Sequence, residues 1–137
     1  MFNKQHTKPQ NRIDTLIGAG TRIDGNIQFS GGLRVDGEIN GNITAASDKP
    51  STLVLSEHAK VRGEIKVSHL VVNGMVTGPV RATEYLELLG KAQIIGDVQY
   101  GTMEIHLGAT ISGKLTHLAA EGVADEKVVA LKMGNTE

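Results

Sequence analysis

A short phrase, apolar-x-Gly-x-apolar, recurs along almost the whole of this chain. In "VDGEINGNI" (35–43) it occurs twice with one residue shared, as Val35-Asp36-Gly37-Glu38-Ile39 and Ile39-Asn40-Gly41-Asn42-Ile43. It returns around Gly25, Gly63, Gly74, Gly78, Gly96 and Gly113. Laid out by this phrase, the chain divides into six units that begin near Thr15, Leu33, Leu53, Leu70, Leu86 and Met103. From Leu33 the steps are 20, 17, 16 and 17 residues. Self-similarity at such a period is the mark of a repeat architecture, in which each unit buries its apolar side against its neighbours.

Two kinds of unit occur. "LRVDGEINGNI" (33–43) and "LVVNGMVTGPV" (70–80) match position for position. "LVLSEHAKVRGEI" (53–65), "LELLGKAQIIGDV" (86–98) and "MEIHLGATISGKL" (103–115) are two residues longer, and "TLIGAGTRIDGNI" (15–27) is a looser member of that set. Within a unit the apolar spacing is two, as in Leu53, Leu55, Ala59, Val61, Gly63, Ile65 and Val67. That is strand periodicity. Three short strands per unit then wind once around an axis, with glycine at the corners where the backbone must turn and side chains have no room. The columns of Leu, Ile and Val fill a thin triangular core. An antiparallel sandwich has no reason to repeat its sequence at a fixed period. The segment "AASDKPST" (45–52), polar and holding Pro50, reads as a surface loop inserted between two units.

Composition agrees with a narrow interior. Aromatics are 3% of the chain, Phe2, Phe29, Tyr85 and Tyr100, against 17 glycines and three prolines. Formal net charge is −1 and the basic residues are scattered, so a nucleic-acid partner is not expected. No cysteine is present, which removes disulfides and thiolate metal sites and suits a reducing cytoplasm. No apolar run approaches the roughly 20 residues of a membrane span.

The six units, the "VDGxIxG" phrase, the opening "IGAGTRIDGNI" and the short polar tails resemble the bactofilins, polymer-forming cytoskeletal proteins of bacteria, over about residues 15–118. The resemblance implies an all-β fold: a right-handed parallel β-helix of six windings of about 17 residues, triangular in section. It divides the chain into a disordered N-terminal tail (1–14), a polymerisation domain (15–118) and a flexible C-terminal tail (119–137). It implies nucleotide-independent assembly into non-polar filaments, attachment to the inner face of the cytoplasmic membrane, and a scaffold role toward cell-wall or morphogenesis proteins. It also implies an aromatic at a terminal contact; the last aromatic here is Tyr100, one winding inside.

A coil of this kind has two ends, each exposing unpaired backbone and a slice of core. No helix strong enough to shield an end is predicted; only a weak turn is expected around "DEKVVALK" (125–132). The polymerisation interface is therefore expected at Leu16, Ile17, Ile23 and Ile27 at one end and at Ile105, Ile111, Leu115 and Leu118 at the other. Met1 and Phe2 beside Lys4 and Lys8 form a candidate membrane-binding peptide, the apolar pair entering the interface and the lysines meeting anionic head groups. The loop "AASDKPST" and the C-terminal tail are the expected surfaces for client proteins.

No enzyme chemistry is expected. His6, His58, His69, His106 and His117 show no metal spacing along the chain, so metal, cofactor and catalytic residues are all expected to be absent. No Gly-Lys-Ser/Thr phosphate loop follows any glycine pair. "LIGAGTRI" also has the flavour of a hexapeptide-repeat acyltransferase, a left-handed β-helix. That is the alternative reading, though windings of 16, 17 and 20 residues break the six-residue phase.

Overall fold

The computed structural model describes residues 12–119 and 124–126. The chain coils through six windings of three strands each. The first holds β1 (Thr15–Ile17), β2 (Arg22–Asp24) and β3 (Ile27–Phe29), and the second holds β4 (Gly31–Val35), β5 (Glu38–Asn40) and β6 (Ile43–Ala45). The third opens with β7 (Ser51–Leu55) and β8 (Lys60–Arg62). From here each winding runs into the next without a break: β9 (Ile65–Val72), then β10 (Met75–Thr77), β11 (Val80–Leu88), β12 (Gln93–Ile95), β13 (Val98–Ile105) and β14 (Thr110–Ser112). The last face-to-face strand is β15 (Leu115–Leu118), followed by β16 (Ala124–Glu126).

Pairing between windings is parallel throughout. It sorts the strands into three faces. On face 1, Thr15, Leu33, Leu53, Leu70, Leu86 and Met103 are register partners in turn, the unit starts expected from the repeat. On face 2 the column is Ile23, Ile39, Val61, Val76, Ile94 and Ile111. On face 3 it is Ile27, Ile43, Ile65, Val80, Val98 and Leu115. Face 2 is a separate six-stranded sheet; faces 1 and 3 merge into one because β9, β11 and β13 pass through the third corner. These columns of like side chains meet in one continuous core.

The three corners differ, and this explains the paired glycines. Corner 1 is a four-residue turn in the longer windings, closed by bonds such as Ala59 N–H to the Ser56 carbonyl and Ala92 N–H to that of Leu89, both 3.0 Å. In the shorter windings Gly37 and Gly74 replace that turn. A Cβ on Gly74 would run into the carbonyl oxygens of Ser56 and Ala59 beneath it. Corner 2 is a column of glycines; Gly63 has φ +151° and lies against the Gly41 carbonyl of the winding before. Next to this column, Asn42 Oδ1 accepts the Glu64 N–H and Asn26 Oδ1 accepts the Asn42 N–H, each at 2.9 Å. Corner 3 carries the one long insertion, Ala46–Pro50; Ala45 and Ser51–Thr52 of the expected loop are strand.

Two expectations need correction. Arg12–Asp14, assigned to a disordered tail, lie over the third corner: the Asp14 N–H donates to the Gly32 carbonyl and the Gly32 N–H to Asp14 Oδ2, each at 2.9 Å. Ala124–Glu126, assigned to a flexible tail, form a strand pairing antiparallel with β15, Leu118 opposite Ala124 and Thr116 opposite Glu126; the rest of the expected turn, 127–132, lies outside the described residues. The free backbone edge of β15 offers hydrogen bonds that an isolated helical turn does not.

Candidate functional site

The two ends of the coil are the candidate site. At the N-terminal end β1, β2 and β3 each pair on one side only among the described residues. At the C-terminal end the same holds for β14 and for the Met103–Ile105 part of β13, while the outer edge of β15 is taken by β16.

Burial along each column shows what the ends present. Ile39 and Ile43 are fully buried, but their register partners Ile23 and Ile27 in the first winding are only half-buried. Leu86, Leu88 and Ile94 are buried in the fifth winding, and Met103, Ile105 and Ile111 above them are half-buried. The same chemical column is sealed in the middle and uncovered at both ends.

Of the eight expected interface residues, the structure brings Ile17, Ile23 and Ile27 to the first winding's core side and Ile105, Ile111, Leu115 and Leu118 to the last winding. Leu16 does not belong with them. It is 60% exposed and shares its outward column with Arg34, because strand alternation places Thr15 and Ile17 inward and Leu16 between them on the outside. Leu115 is inward but only 5% exposed, and Leu118 is buried without joining the central core. Both lie on the one C-terminal strand that has a second neighbour.

Phe29 and Met103 are the residues that the sequence reading missed. Phe29 alternates with Ile27 on β3 and is half-buried in the first winding, so the aromatic at an end lies at the N-terminal end. Its two-residue spacing from Ile27 was signal enough. Tyr100 is half-buried one winding in, its ring 5.5 Å from that of His117.

The N-terminal rim is held charged. Asp14 sits below the ordinary carboxylate range because the Gly32 backbone N–H, and then Arg12, bond its ionised form. Asp24 is lowered by the Asn40 amide and then by Arg22. The expected membrane-binding residues Met1, Phe2, Lys4 and Lys8 lie outside the described residues. Among the described residues no helix is long and apolar enough to cross a membrane.

Beside the Ala46–Pro50 loop lies a groove of about 370 Å³ lined by Thr44, Lys49, Lys66, Ser68 and Arg81 among others. Arg81 donates to the Gln99 side-chain carbonyl across neighbouring strands, which holds its guanidinium on face 3.

The chain is 27% identical over 112 residues to Bactofilin BacP of Myxococcus xanthus strain DK1622, covering 82% of this chain and 45% of that protein, so it spans less than half the length of that relative. It is 26% identical over 102 residues to Bactofilin BacO of the same strain, covering 74% of this chain and 78% of BacO. Its fold is similar to that in a cryo-EM reconstruction of Thermus thermophilus bactofilin double helical filaments, with a TM-score of 0.68 and 22% identity over 74% of this chain and 96% of that one. Residues 15–116, nearly the whole coil and both of its rims, match the family described as Bactofilin, polymer-forming cytoskeletal, and this chain is a member of that family.

Proposed function

We propose that this chain is a non-enzymatic scaffold whose copies stack end to end into filaments without nucleotide, lie against the inner face of the cytoplasmic membrane and position cell-envelope or cell-shape proteins. The observation that carries the assembly step is the half-exposure of Ile23, Ile27 and Phe29 at one rim and of Met103, Ile105 and Ile111 at the other. Burying such side chains contributes about 1 kcal/mol or more each. With ladder hydrogen bonds added and association entropy subtracted, contacts of roughly micromolar strength follow.

β16, a strand of the same chain, shows that a rim edge accepts an antiparallel neighbour, the direction that a contact between like ends would bring to the rim strands still open. Two copies related by a two-fold axis normal to a face bring their rim strands together antiparallel, and a filament built from such contacts has no polarity. Membrane contact is assigned to Met1, Phe2, Lys4 and Lys8, and client docking to the Ala46–Pro50 loop and the groove beside it, where Lys49, Lys66 and Arg81 favour an acidic segment.

The test is negative-stain microscopy and sedimentation of the purified full chain without nucleotide. Wild type forms filaments. Ile23→Arg and Ile111→Arg, each at a half-exposed rim position, keep the wild-type circular dichroism and lose filaments or stop at dimers. Normal filaments in both variants would refute end contacts. Leu115→Arg is a poorer probe, because burial at that position makes it a test of folding as well.

A further inference from the structure

On the outer side of face 1, away from the rim core residues and the groove, three potential ligands converge. Glu87 on β11 and Glu104 on β13 are direct register partners on neighbouring parallel strands. Like charges set opposite each other destabilise a sheet unless something positive lies between them. His106, two residues past Glu104 at the start of the last corner turn, brings Nε2 to 2.9 Å from Glu87 Oε2 and 3.6 Å from Glu104 Oε2. The ion pairs recorded for the two glutamates are both with this histidine.

Tyr85 acts from the other side. Its hydroxyl lies 2.8 Å from Glu104 Oε1 and 3.1 Å from Glu87 Oε1. Both carboxylates are thereby turned the same way: Oε1 toward the tyrosine, Oε2 toward the imidazole. One ligand atom from each of Glu87, Glu104 and His106 falls within 4.8 Å of the other two.

We propose that Glu87, Glu104 and His106 form a divalent transition-metal site, with Tyr85 as a positioning residue that orients both carboxylates. Two carboxylate oxygens and one imidazole nitrogen suit Zn²⁺ or Mn²⁺ better than the all-oxygen shells of Ca²⁺ or Mg²⁺. Ligand atoms about 2.0–2.2 Å from a tetrahedral Zn²⁺ stand about 3.3–3.6 Å apart, and the separations of 2.9 and 3.6 Å lie near that spacing. Glu104 and His106 are exposed and Glu87 half-buried, so water completes the shell. Glu87 belongs to the fifth winding and Glu104 and His106 to the sixth, so the ion pins the last winding to the one before it. No linear motif announces this site, since its carboxylates come from strands one winding apart.

Isothermal titration of the full, untagged chain with ZnCl₂ at neutral pH tests the assignment. One Zn²⁺ binds per chain, and thermal unfolding moves upward in its presence. Glu87→Gln and His106→Asn each weaken binding by about tenfold or more, and Tyr85→Phe weakens it by about tenfold through the loss of ligand orientation. Glu57→Gln, at the other His–Glu surface pair, leaves binding unchanged. Circular dichroism checks that each variant folds, and the wild-type titration is decisive on its own. No saturable binding by wild type up to about 1 mM Zn²⁺, or equal affinity in wild type and the Glu87 and His106 variants, overturns the proposal.

Discussion

At Gly63 the backbone takes a φ of +151° and lies against the Gly41 carbonyl, so a Cβ has neither an easy conformation nor a free space. Gly63→Ala is expected to cost about 2–3 kcal/mol or more in urea unfolding. Gly20→Ala, where a Cβ meets nothing within 4 Å, is expected to change stability by less than about 0.5 kcal/mol. Equal effects at the two sites would remove the geometric account of the corner. Asp14 is the other residue with a readable consequence. Its folded pKa lies below the unfolded value of about 3.9, so its contribution is fully present above that value and is lost as pH falls through the folded one. Wild type is therefore expected to be more stable than Asp14→Ala above about pH 5, with the gap closing as pH falls below about 4. A gap that stays constant down to pH 2 would mean that the carboxylate's charge plays no part.

Among the elements, β16 is the one that changes what an end can do. It fills the outer edge of β15 while β14 and the Met103–Ile105 part of β13 stay open, so one of the three faces is already paired at the C-terminal rim. Deleting residues 120–137 exposes that edge. Light scattering of the truncated chain is expected to show faster assembly, or assembly at several-fold lower concentration, than the full chain. Slower assembly would assign the strand to the filament contact itself. The strands were legible in the sequence to a degree that β16 was not. Each winding repeats the same apolar phase, so Leu33, Leu53, Leu70 and Leu86 locate face 1 by counting. Ala124–Glu126 carry no apolar alternation and are strand only because β15 offers an edge. Leu16 shows the reverse failure: an apolar residue next to the inward column draws attention that Thr15, with its hydroxyl, does not. The hand of the coil came from family resemblance, since period and register are the same for either hand.

For the whole molecule, the proposed membrane contact depends on the proposed assembly. A tail with Met1, Phe2, Lys4 and Lys8 would bind a bilayer feebly on its own, at about 1 kcal/mol per charge plus two inserted side chains. A filament would display many such tails, and multivalency would turn them into firm attachment. Deleting residues 2–8 is expected to abolish co-sedimentation with anionic liposomes while filaments still form in microscopy; undiminished liposome binding would end that assignment. The cross-winding cluster at Glu87, Glu104 and His106 escaped sequence reading for a reason that belongs to this scale: a solenoid turns distance along the chain into adjacency across it, which no local motif records. The unequal corners have a last consequence. Corner 2 admits only glycine, yet corner 3 absorbs Ala46–Pro50 without disturbing the register of β4 on β7. A foreign peptide spliced between Asp48 and Lys49 should leave the coil unchanged; because this corner lies between the second and third of six windings, a polymer whose subunits alternate in direction would carry such peptides in pairs, close together across one kind of joint and far apart across the other.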